Sequence, residues 1–423
     1  MRNIRGVLSV GMITGLILVP GDPSTVIQPI EFTADKPMAA QASSVTSQRV
    51  AAANVRSSEP MPLTTKDRTS SYPRGVQLQH NGEANGRIIA SVTTSTPEGW
   101  GAIVFRSLDS GASFEEIAQL PVSERNGQAG MCCGTLFELP RRIGDLPAGT
   151  LLYAASVGAQ AENRRMDLDI WHSRDAGQTW KYLSRCASAT DTGGLWEPEF
   201  SVDVDGRLVC HYSAEDPPDP ERNGPPPQRL VRAVSTDGVN WSDAIDTVRP
   251  VGDAIRPGMP VVRTLPDGTY FMVFEQCGPA MGQYRCAIHS RTSADGWNWG
   301  NPDDHGQIIT SVNGRYFAHA ATVAWADNGT PQGALLLIGQ LLRNADGSLA
   351  DGNGKTVLVN RDRNGPWREI PAAVEVNAFG HSCPNYSSSL VPLTGGREFV
   401  QLSPDLTEGK LPCRSSFGTG SIR

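Results

Sequence analysis

Short apolar or β-branched runs, each opened by a glycine turn, recur six times along this chain. They are Gly86–Val92, Gly149–Ala155, Gly206–Tyr212, Gly268–Phe274, Gly333–Gly339 and Gly396–Leu402. The opening glycines lie 63, 57, 62, 65 and 63 residues apart. A second signal runs in phase with the first. At its clearest it is Ser173–Trp180, of the form Ser-x-Asp-x-Gly-x-x-aromatic, and it returns as Ser107–Phe114. Shorter forms stand at Ser235–Trp241 and Ser293–Trp299, with a worn copy at Asn360–Trp367. In the first five units the Ser or Asn that opens this motif follows its glycine by 21, 24, 29, 25 and 27 residues. Each unit of roughly 60 residues is long enough for four short strands and their turns.

Four-stranded modules repeated at this spacing predict an all-β fold, a six-bladed β-propeller of antiparallel blades. A linear solenoid would have shorter repeats and two capping ends. The last unit is short after Gly396, so the N-terminal segment is expected to supply a strand that closes the ring. Within a blade the glycine turn joins the first, inner strand to the second, and the Asp-containing turn joins the third to the fourth. Both turns then share one face of the disc. The starts of the inner strands and the ends of the second strands collect on the other face, around the axis.

The N-terminus changes the picture at one end only. Arg2 and Arg5 precede a mostly apolar run from Gly6 to Pro20, of about 14 residues, which suits an export signal better than a membrane span. Residues 1–20 are therefore read as a signal peptide, or an uncleaved anchor, and residues 21–66 as a linker rich in Ala, Ser, Thr and Pro. Ala40-Gln41-Ala42 has the form of a cleavage site but lies far from the apolar run. The propeller is expected over residues 67–423. A secreted, monomeric protein is the expectation, without stable membrane association once the signal is removed. A formal charge of -7 and a pI near 5.6 argue against a nucleic-acid partner. Eight cysteines and export permit disulfides, with Cys277–Cys286 the preferred pair across a strand-loop-strand. Cys132 and Cys133 are adjacent and either pack or oxidise. No spacing of Cys or His suggests zinc, and no metal or cofactor is expected.

The candidate chemistry lies just ahead of the glycine turns. The six inner-strand starts are read as Tyr72–Arg74, Met131–Gly134, Trp196–Glu199, Ile255–Gly258, Tyr316–His319 and Cys383–Tyr386. Glu275 ends the second strand of blade four, and His211-Tyr212-Ser213, followed by Glu215 and Asp216, ends that of blade three. Glu197 and Glu275 thus reach one mouth from adjacent blades, as a carboxylate pair must for glycoside hydrolysis. Arg74 and Arg256 either hold a carboxylate ionised, bind substrate or tie blades together. Tyr386 is a tuning residue, a nucleophile or a wall of the cleft. His319 donates to substrate or packs. Trp100, Trp196 and Phe317 are candidates for stacking on sugars.

The Ser-x-Asp-x-Gly-x-x-Trp turns resemble the Asp-boxes (BNR repeats) of the sialidase superfamily, whose members are six-bladed propellers. Ser71–Arg74, Leu195–Pro198, Arg256–Pro260, Phe274-Glu275 and Asn385–Ser387, in this order, resemble the exo-arabinanases of glycoside hydrolase family 93 over roughly residues 68–423. That resemblance implies exo cleavage of α-1,5-arabinan with release of arabinobiose and retention. It implies Glu275 as nucleophile, Glu197 as acid/base and Tyr386 as the tyrosine near the nucleophile. Glu199 stands as a rival for the blade-three role or as a substrate contact, beside Trp196, Arg74, Arg256 and His319. The adjacent cysteines and the proline-rich stretch from Pro217 to Pro227 depart from the family pattern. Two alternatives are a sialidase, using Arg74, Arg256 and Arg285 or Arg315 around Tyr386, and a non-catalytic carbohydrate-binding propeller.

Overall fold

Six antiparallel sheets make up the structure, five of them built in chain order from the axis outward. The computed structural model describes residues 60–422 apart from 66–67, 97–98, 122–129, 162, 218–220, 222–223, 252–254, 363–364 and 408–409. The expected export segment and most of the expected linker lie outside the described residues. Blade three illustrates the plan. Its inner strand Leu195–Val202 pairs with Leu208–Glu215, which pairs with Gln228–Ser235, which pairs with Ile245–Val248. The first three of these are buried for most of their length on both faces, because blades pack face to face and every inner strand lies between neighbours.

The ring closes as the short last unit predicts. Met61–Pro62 pairs with the C-terminal strand Lys410–Ser421 and becomes the outermost strand of blade six. The ordered fold therefore starts ahead of the expected Asp67. Cys383 and Cys413 are joined within this last blade, and Cys186 of blade two is joined to Cys210 of blade three. The preferred Cys277–Cys286 pair is formed, as is the Cys132–Cys133 pair between neighbours.

The Ser-Asp turns brace the ends of the third and fourth strands. In blade two the Gly177 N–H donates to Ser173 Oγ at 2.9 Å, and the Thr179 N–H and hydroxyl donate to the two Asp175 oxygens at 2.9 and 2.6 Å. Gly177 has φ +88°, a conformation glycine adopts without strain. Trp180 folds back, donates from Nε1 to the Gly177 carbonyl at 2.9 Å, and is buried edge-on to Tyr153. These turns and the glycine turns sit at the same ends of their strands, away from the axial mouth.

One inner strand is not where the pattern put it. Tyr316–Ala318 forms a separate short strand that pairs with the third strand of blade four at Ala287 and with Leu341–Arg343. The inner strand of blade five is Thr322–Ala326. An apolar triplet reads alike in either place, and only the backbone between the two, His319 (φ 66°) and Ala320 (φ 49°), separates them. Blade six likewise begins its inner strand at Ser389, with Cys383–Tyr386 in the turn before it.

Candidate active site

A shared local device builds the mouth. In blades one to four the inner strand slips register near its start, between Ser71 and Arg74, Cys132 and Thr135, Trp196 and Glu199, and Gly258 and Val261. The residue that opens each slip has left-handed backbone: Tyr72 (φ 53°), Cys133 (φ 61°), Glu197 (φ 51°) and Met259 (φ 56°). Pro73, Gly134, Pro198 and Pro260 follow in turn. Such a bulge leaves one residue out of the ladder and re-aims its side chain. Non-glycine residues adopt this conformation at a cost, and such strain is most often met at functional sites. Ala320 (φ 49°) and Ser387 (φ 57°) stand at the matching places of blades five and six.

Glu197 is therefore turned into the mouth by its own backbone. Ser213, near the end of the second strand of the same blade, donates to Glu197 Oε2 at 2.9 Å and accepts from the Met259 N–H at 3.1 Å. Burial pushes the Glu197 carboxyl up to about 8. The Ser213 hydrogen bond opposes that rise, while the charges of Glu275 and Glu215 add to it. Glu197 holds a proton at neutral pH.

Glu275 comes from the second strand of blade four, opposite Gly258, where there is no side chain to cover it. Its Oε2 accepts from the Ala320 N–H at 2.9 Å and lies 3.5 Å from His319 Nδ1. The His319 side chain is 38% exposed and that of Glu275 12%, so the imidazole forms the open rim beside a nearly covered carboxylate. The Cys277–Cys286 disulfide lies behind His319. With His319 these cysteines form a close group of possible metal ligands, but their sulfurs are bonded to each other.

Tyr386 is half-buried, its ring 6.5 Å from that of Tyr72. Burial, then the charges of Glu275 and Glu197, holds its hydroxyl well above the usual phenol range. It stays neutral, able to donate a hydrogen bond but ill suited to attack as a phenolate. Tyr72 is the residue that the sequence reading passed over. It is buried beneath the Arg74 guanidinium, whose carbon lies 4.4 Å from the ring centre, and burial raises its hydroxyl as well. The phase-locked Tyr72-Pro73, Glu197-Pro198 and Met259-Pro260 pairs were the available signal.

Several candidates have other work. Arg74 donates to the Ser387 carbonyl at 3.0 Å and its hydroxyl at 2.9 Å, which ties blade one to blade six; it holds neither carboxylate of the pair. Arg256 pairs with Glu215 at 3.1 Å and donates to Gln228 at 2.9 Å, and Glu215 also pairs with Arg164 at 3.2 Å. Glu199 is buried. One of its oxygens accepts from Arg263 at 2.7 Å and the other from Thr135 at 2.9 Å, so it clamps blades two, three and four and is not free to rival Glu197. Trp196 and Phe317 are buried in the core, and Trp100 packs between blades one and two, which leaves their faces to protein rather than sugar. Arg315 is bound to Glu369 at 2.8 Å. Arg74, Arg256 and Arg315 thus answer to three separate partners and do not converge on Tyr386.

With that geometry in view, solved structures offer the comparison. An α-L-arabinanase of Penicillium chrysogenum, solved with arabinobiose, is 26% identical with a TM-score of 0.68, over 86% of this chain and 96% of that one. The chain is a sialidase-like propeller close to the GH93 glycosidases. The GH93 α-L-arabinofuranosidase of Fusarium graminearum, also solved with arabinobiose, matches at 20% identity and a TM-score of 0.66, over 86% and 97% of the two chains. The Hadza microbial sialidase Hz136 shares the fold at 13% identity and a TM-score of 0.51, over 84% and 66%. No protein-family model matches the chain, and no curated protein sequence does.

Proposed function

We propose that the protein is a secreted, monomeric retaining glycosidase that works from the non-reducing end of α-1,5-linked arabinan and releases arabinobiose. The observation that carries this reading is the meeting of Glu197, kept protonated by burial, with Glu275, held by the Ala320 N–H, at one mouth. Two carboxyl groups in unlike environments divide into an acid and a base or nucleophile. In the first step Glu275 attacks the anomeric carbon as the glycosidic bond breaks, and Glu197 gives its proton to the departing oxygen. In the second, Glu197 takes a proton from water, the water oxygen bonds to the anomeric carbon, and Glu275 leaves. Tyr386, neutral beside both, donates a hydrogen bond within the site, and His319 meets substrate at the rim.

The arabinan assignment draws on the likeness to the Penicillium arabinanase. Secretion is favoured by the basic, apolar N-terminus and by four disulfides with no free cysteine among the described residues. A sialidase would call for a tyrosine nucleophile and converging arginines, neither of which suits Tyr386, Arg74, Arg256 and Arg315 as they stand. Debranched arabinan and a sialyl aryl glycoside, offered side by side, test the reading. Arabinobiose release is expected. Release of sialic acid, or sugar binding that survives Glu275→Gln with no hydrolysis by the parent, would overturn it.

A further inference from the structure

A left-handed residue stands at the matching place of each blade around the axial mouth, and the blade-two member, Cys133, is half of the Cys132–Cys133 disulfide. It occupies the place that Glu197 holds in blade three. Cys133 is buried in the same apolar cluster as Tyr72, Trp196 and Met259, against which Cys132 and Tyr386 also pack, so the pair borders the site directly. Cys132 keeps part of its surface open. The backbone beneath is pinned: a Cβ on Gly134 would come within 2.1 Å of the hydroxyl of the fully buried Tyr153. A disulfide between neighbours closes a small ring whose sulfur side carries no hydrogen-bond donor. It offers a stiff, polarisable, apolar surface of the kind that sulfur presents to flat partners, and the C–H face of a sugar ring is such a partner.

Its place in the ring suggests which sugar. Glu275 belongs to blade four, and blade two borders blade three on the opposite side. Glu197, between them, protonates the departing oxygen, so the sugar that carries this oxygen lies toward blade two. We propose that the Cys132–Cys133 ring is a specificity-determining surface that holds the apolar face of the leaving-group sugar. This rests on the glycosidase reading with Glu197 as acid.

The test compares the parent with Cys132→Ala/Cys133→Asn, since asparagine tolerates left-handed backbone. Cys132→Ser/Cys133→Ser serves as a second variant should the first not fold, and melting is recorded for both. Two substrates are used, an α-1,5-arabino-oligosaccharide and arabinobiosyl fluoride, which has no leaving-group sugar. The expected result is a KM about fivefold higher on the oligosaccharide with kcat within about twofold, and unchanged constants on the fluoride. An unchanged KM on the oligosaccharide, or an equal loss on both substrates, would overturn the proposal while leaving the glycosidase reading intact. A parent inactive on both substrates would overturn the two together.

Discussion

The division of labour proposed for Glu197 and Glu275 comes from their surroundings. Glu197 loses water and faces two other carboxylates; Glu275 gains a backbone donor. Replacing Glu275 by Gln is expected to cost at least about a hundredfold in turnover, by the usual size of positioned catalytic groups, with the melting temperature close to that of the parent. Near-normal turnover would remove Glu275 from the mechanism. The pH dependence follows from Glu197 being pushed up to about 8. Activity should fall as pH rises through that value, because the acid loses its proton. Stability carries the same sign: the folded state keeps a proton that the unfolded state gives up near 4.5, so the Glu197 contribution is full below 4.5 and lost as pH rises through about 8. Melting of Glu197→Gln, which cannot ionise, should therefore gain on the parent between pH 4.5 and 8; a gap that stays constant would contradict the assignment. Glu197 and Glu275 were legible in the sequence because strand alternation fixes which strand ends meet. The partners that decide their chemistry were not. Nothing in the letters shows that Ser213 reaches Glu197 or that Arg263 and Thr135 use up both oxygens of Glu199.

At the scale of the strand, the bulge at the start of the inner strands is the element that makes a site out of a propeller. It was foreshadowed by dipeptides ending in proline or glycine, recurring in phase. A residue before proline usually prefers extended backbone, which hid the left-handed turn at Tyr72, Glu197 and Met259. The glycine and Ser-Asp turns were plain in the sequence because their geometry demands particular residues. The start of blade five was not, since Tyr316–Ala318 has the composition of an inner strand but pairs elsewhere. The Ser-Asp turns lie far from the mouth and their role is confined to strand ends. Asp175→Ala should lower stability by about 1 kcal/mol through loss of its hydrogen bonds, with kcat/KM unchanged. A drop in kcat/KM of the folded variant would mean that these turns communicate with the site.

Across the whole molecule, one device closes the ring and another braces the blade that closes it. Met61–Pro62 completes blade six, and the Leu63 N–H donates to the Ser415 carbonyl at 2.9 Å. The Cys383–Cys413 disulfide fixes the turn that carries Asn385 and Tyr386 to the strand it leans on. Cys383→Ala/Cys413→Ala should destabilise the protein by about 2–4 kcal/mol, read in denaturant melts. An unchanged midpoint would show that blade six closes without it. The interblade contacts of Arg74 with Ser387 and of Glu199 with Arg263 and Thr135 serve the same end nearer the axis. Charged residues there keep the six inner strands in place around the carboxylate pair.

Azide rescue of single variants tests the central claim most directly, because it assigns each carboxylate separately. On an aryl α-L-arabinobioside, Glu197→Ala with azide should recover activity and give a glycosyl azide of the substrate's anomeric configuration, since Glu275 still forms the intermediate. Glu275→Ala with azide should give the opposite anomer. The same anomer from both variants, or the two outcomes exchanged, would contradict Glu197 as acid/base and Glu275 as nucleophile.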